Sequence, residues 1–102
     1  MLPKNKPLKP NINELQTLLS YYQKNQFLDA ENLAQSLVKK YPSHPYAWKI
    51  LAAVSEQTNR IPEALNFNQR ALALSPKDSE IHLSIGNVLK ALGQFEDAIS
   101  SY

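Results

Sequence analysis

The chain is predicted to be all-α, a solenoid of antiparallel helix pairs. Three observations carry that expectation. The stretch Asn59–Pro76, NRIPEALNFNQRALALSP, matches Asn25–Pro42 when moved back 34 residues and Gly93–Tyr102 when moved forward by the same distance. Within each copy, apolar residues recur at the three-to-four spacing of a helix face. Between copies stand prolines, asparagines and a glycine, the residues that end helices. A 34-residue period holding two helices per unit is the mark of stacked pairs, because one pair cannot bury both of its apolar faces alone.

Taken in order, Met1–Pro10 is expected to be a disordered lead-in, since Pro3, Pro7 and Pro10 each remove a backbone donor. The first helix is expected over Asn11–Lys24, with Asn11 as N-cap and Glu14 completing a capping box. Its stripe is Ile12, Leu15, Leu18, Leu19 and Tyr22. The second helix, Phe27–Lys40, buries Phe27, Ala30, Leu33, Ala34, Leu37 and Val38. Tyr41–Pro45 closes the unit, with Ser43 or His44 placed to cap a third helix over about Pro45–Thr58, which has a proline in its first turn. On that helix Trp48, Leu51, Ala52 and Ser55 follow one face. The fourth helix, Ile61–Leu74, turns Ala64, Leu65, Ala71, Leu72 and Leu74 inward. Asp78 caps a fifth over Ser79–Leu92, and after Gly93 a sixth begins at Phe95.

Columns taken 34 residues apart sharpen this. Asn25, Asn59 and Gly93 share a column where the chain enters the left-handed region, which Asn and Gly tolerate. Phe27, Ile61 and Phe95 begin each second helix. Asp29, Glu63 and Asp97 place a carboxylate in its first turn, where the helix dipole favours one. Ala30, Ala64 and Ala98 are small enough for two helices to cross closely, facing Leu18, Ala52 and Gly86.

Composition removes several function classes. Among 102 residues, 43% are hydrophobic and 20% charged, and the net charge of +2 gives no footprint for nucleic acid. There is no cysteine, hence no thiolate metal site or thiol nucleophile. His44 falls in a turn and His82 in the column of Trp48, positions suited to capping and packing rather than to catalysis or metal. Two glycines make no phosphate loop. Without a signal peptide or an apolar run of about 20 residues, the expected setting is soluble and cytoplasmic. No catalytic residue, cofactor or metal is expected.

The period, Trp48 with Leu51–Ala52, the Ile85–Gly86 pair, Ala64, Ala98, Ala71, Pro42 and Pro76 together resemble the tetratricopeptide repeat, W-x2-L-G-x2-Y, then A-x3-F, A and P. The resemblance gives three units, about 11–44, 45–78 and a partial 79–102, wound as a right-handed superhelix. It departs at Glu14 and Leu18 in the first unit, at Ser55 and Leu89 for the Tyr, and at Asn68 for an aromatic. It implies a protein-binding scaffold whose concave groove is lined by the first helix of each pair. By position the groove residues are Leu15, Leu19 and Tyr22; Tyr46, Lys49, Ile50, Ala53 and Glu56; and Leu83, Ser84, Asn87 and Lys90. Apolar members would anchor a peptide or partner segment, and Lys49, Asn87 and Lys90 would pair its polar groups. Alternatively Leu15 and Leu19 only complete the packing of a terminal unit. The carboxylate clamp of chaperone-cochaperone repeats is absent, since its positions hold Leu15, Leu19, Ile50, Glu80 and Ser84.

Two further readings accompany the scaffold. The third unit is similar to repeats in O-linked N-acetylglucosaminyltransferase-like proteins. The repeats would then be the N-terminal, substrate-recruiting arm of a glycosyltransferase or sulfotransferase whose catalytic domain lies further along a longer chain. Self-association is the other: Phe95, Ala98 and Ile99 on the truncated third unit would lack a helix to cover them.

Overall fold

A computed structural model describes residues 9–100, with side chains as far as Gly93. Among these residues there are five helices and no strand: α1 (Ile12–Gln23), α2 (Phe27–Lys40), α3 (Pro45–Gln57), α4 (Ile61–Leu74) and α5 (Ser79–Ser100). Each helix packs on the next, and α3 also touches α1 and α5. The chain is an all-α helical-repeat solenoid.

The helix starts follow the expected chemistry. Asn11 Oδ1 accepts the Glu14 N–H at 2.8 Å while the Asn11 N–H donates to Glu14 Oε1 at 3.1 Å, a complete capping box. Asp78 Oδ1 accepts the N–H groups of Glu80 at 2.9 Å and Ile81 at 3.4 Å. At α3 the cap residue is His44, but its side chain makes no capping bond, so Pro45 and the packing behind it define that start. Burial holds the His44 imidazole below its ordinary pKa, with Lys9 adding to the effect, and its Nδ1 is buried without a partner. Of the lead-in, Met1–Leu8 lies outside the described residues, and Pro10 is buried rather than extended into solvent.

Both inner turns are built alike. Asn25 and Asn59 take φ of 59° and 62°. The N–H groups of Gln26 and Arg60 reach back to the carbonyls of Tyr21 and Ser55 at 2.8 and 2.7 Å, closing the last helical turn in a Schellman arrangement. Gly93 departs from its column. It has no positive φ, and α5 runs through it to Ser100, so neither a turn at Gly93 nor a sixth helix from Phe95 forms. The reason is a balance between turn and packing. In the first two units a left-handed residue lets a 14-residue second helix dock. Beyond Gly93 only seven residues are described, and each gains an i→i−4 bond by continuing the helix.

The core lies between α1, α2 and α3. Leu18, Ala30, Ala34, Leu37, Val38, Ala47, Ile50, Leu51 and Val54 form one buried cluster, flanked by Tyr21, Tyr22, Phe27, Leu33 and Trp48. The expected stripe of α1 splits: Leu18 is buried, while Ile12 is 68% and Leu19 37% exposed. On α4, Ala64, Asn68 and Ala71 are the buried residues, and Leu74 is exposed rather than turned inward. α3 is buried on two faces, since besides Leu51, Ala52 and Ser55 it buries Ala47, Ile50 and Val54. A helix in mid-stack rests on the unit before it as well as on its own partner.

Candidate functional site

The first helices of the three units, α1, α3 and α5, present the predicted groove positions in one repeated register. Leu15, Lys49 and Leu83 share a column, as do Leu19, Ala53 and Asn87, and Tyr22, Glu56 and Lys90. Spacings of four and then three residues keep each set on one helix face. That register follows from the equal length of the inner turns, which restart each pair after 34 residues.

The middle of this face is occupied by bonds within the chain. Lys49 Nζ donates to Asp78 Oδ2 at 2.8 Å and lies 3.8 Å from Glu80 Oε2. Lys49 is therefore committed to the α4–α5 turn instead of standing free for a partner. The Lys49 bond, with lesser help from the Glu80 and Ile81 N–H groups, holds the Asp78 carboxyl below the usual carboxylate range. Glu56 Oε2 accepts from Ser84 Oγ at 2.9 Å, and Ser84 Oγ accepts from Asn68 Nδ2 at 3.1 Å, so α3, α4 and α5 share one polar chain. Burial lifts the Tyr46 phenol above its ordinary pKa; Lys49 opposes the shift and Glu80 adds to it. Ile50, expected in the groove, is 7% exposed and belongs to the core. Its column is the one through which α3 rests on the preceding unit, so it offers no surface to a ligand.

The apolar surface lies toward the two ends. Leu83 is 67% exposed on α5, beside exposed Asn87 and Lys90. On α1, Leu19 is exposed, Leu15 half-buried, and the Tyr22 ring packs 5.9 Å from that of Phe27. Ala53 and Tyr46 are half-buried between these ends. The arrangement is a strip with a polar, self-paired middle and apolar side chains at either end, a surface that can hold a chain segment but contains no reactive constellation. Among the described residues, no group of three or more His, Cys, Asp or Glu stands close enough to hold a metal. No helix among them is long and apolar enough to cross a membrane.

Sequence reasoning missed the ion pairs between units. Arg60 Nη1 donates to Glu31 Oε1 at 2.7 Å and lies 3.4 Å from Glu63; the Glu31 bond is the main cause that raises the Arg60 pKa. Asp78, read only as a cap, also holds Lys49. Both pairs span 29 residues, a separation no local motif encodes. On the α4 side of α3, Trp48 packs 6.2 Å from Phe67 and under Arg70 at 5.2 Å, an aromatic–cation stack foreshadowed only by the tryptophan itself. The side chains of Phe95, Ala98 and Ile99, expected as an exposed face, lie outside the described residues.

Models of one family, the tetratricopeptide repeat, match the chain at residues 15–79 and again at residues 67–100. The two matches together run from within α1 to the end of α5.

Proposed function

Because the chain belongs to the tetratricopeptide repeat family, whose repeats are generally non-catalytic protein-interaction modules, we propose that it holds a partner segment along the strip formed by α1, α3 and α5. The observation that supports this most is Leu83. It is a large apolar side chain, 67% exposed, in the same column as Leu15 and Lys49 on the first-helix face. Solvent-facing leucines cost little singly, but Leu83 and Leu19 sit at opposite ends of one repeated register. An extended segment or short helix would seat apolar side chains on Leu83 and on Leu15 and Leu19. It would cross Tyr46 and Ala53 between them, and Asn87 and Lys90 would meet its polar groups. Lys49 and Glu56 hold the floor in place through their bonds to α5.

Selection of binders from a random-peptide display library tests this. Peptides selected on the wild-type chain are expected to lose at least about tenfold in affinity for Leu83→Glu, consistent with loss of a buried apolar anchor. The variant should keep its helicity, because Leu83 touches solvent rather than core. Unchanged affinity across the selected set would remove Leu83, and with it this face, from the binding role.

A further inference from the structure

Two stripes run along α3, and they are closed by different neighbours. Ala47, Ile50 and Val54 pack into the cluster with α1 and α2. Trp48, Ala52 and Ser55 look toward α4, where Trp48 meets Phe67 and Arg70, and Ala52 and Ser55 are each 1% exposed. On α5 the counterparts of the first stripe are Ile81, Ser84 and Val88. Ile81 and Val88 are buried, and Ser84 bonds Asn68 of α4. The counterparts of the second stripe are His82, Gly86 and Leu89, and all are exposed. Leu89 is 52% exposed where Ser55 is 1%. A methyl group added at Gly86 would meet nothing within 4 Å. The face that a unit's own second helix closes on α3 stands open on α5.

The opposite end of the stack differs. On α1 the stripe that would meet a preceding unit is Asn13, Gln16 and Ser20, polar throughout, as an end that faces water should be. Only the α5 end presents apolar residues, Ile85, Leu89 and Leu92, without a covering helix.

We propose that a second copy of this chain covers that face, with its residues after Gly93 taking the place of a unit's second helix. By sequence they suit the role: Phe95 stands in the column of Phe27 and Ile61, and Ala98 in that of Ala30 and Ala64, both fully buried. Within one copy they cannot reach it. α5 is continuous through Gly93, so Gln94–Ser100 extends about 10 Å straight along the axis, away from Leu89. The exchange is reciprocal. Two α5 helices lie antiparallel, each end segment covers the other copy's Leu89 face, and a two-fold axis closes the assembly at a dimer.

Sedimentation equilibrium of the 102-residue chain at up to millimolar concentration tests this, with circular dichroism to verify folding. The expected mass is twice 11.5 kDa. Leu89→Glu and Ala98→Glu should each weaken association by at least about tenfold. An equimolar mixture of the two variants should regain part of it, because the intact segment of the first meets the intact face of the second. Gly93→Ala has room for its methyl group and favours the straight helix, so it should tighten the dimer. A wild-type monomer would overturn the proposal in favour of a different polypeptide on this face. Ala98→Glu associating like wild type, or a mixture that regains nothing, would overturn the exchange. Weaker association of Gly93→Ala would show instead that the segment folds back on its own chain.

Discussion

Trp48 and His82 stand one period apart and make the same hydrogen bond. Trp48 Nε1 donates to the Pro42 carbonyl at 3.0 Å, and His82 Nε2 lies 2.8 Å from the Pro76 carbonyl, which requires the proton on that nitrogen. A ring nitrogen on the first helix ties down the proline turn before it in both units, so the column survives a change from indole to imidazole. Asn68 shows the opposite case. Its departure from an aromatic was visible, but its consequence was not, because the partner Ser84 lies 16 residues away on another helix. Asn68 is 2% exposed, so removing its partner strands a buried amide. Ser84→Ala is expected to cost about 1–2 kcal/mol in urea unfolding, and Asn68→Leu with Ser84→Ala less than the sum of the single changes. Asp78 carries a pH signature. Its folded pKa lies below its unfolded one, so the stability it contributes is complete above the ordinary carboxylate range and drains as pH falls through its lowered value. An acid titration of unfolding midpoints should show that loss, reduced in Lys49→Met and in Asp78→Asn.

Helices were the most legible level. The ends of α2 and α4 fall where the columns put them, and those of α1 and α3 within a residue, because caps, prolines and left-handed asparagines are local signals. What no local signal contains is whether a turn is worth making. Asn25 and Asn59 turn because the following helices bury Ala30 and Ala64 completely; Gly93 shares their column and stays helical. The double burial of α3 was also hidden, since its second face is closed by a neighbouring unit. The alanine crossings make a sharp test of register. Ala64→Trp is expected to overpack the α3–α4 crossing, costing about 3 kcal/mol or more, and to abolish the cooperative far-ultraviolet thermal transition. A folded Ala64→Trp protein would place the crossing elsewhere.

For the molecule as a whole, the family and the helix-pair architecture were readable from the period alone. The groove was readable only as a set of positions. Which of them are free depends on bonds across units, and these withdrew Lys49 and Ile50 while leaving Leu83 and Leu19 exposed. The ion pairs Arg60–Glu31 and Lys49–Asp78 are half-buried ties between successive units, and they fix the floor over which a partner segment would lie. Amide chemical-shift mapping of the labelled chain, titrated with a library-selected peptide, tests the proposed groove most directly. Perturbations are expected on α1, α3 and α5 at Leu19, Tyr46, Ala53, Leu83 and Asn87. Perturbations confined to Leu28 on α2 and Arg70 on α4, with these positions silent, would contradict it.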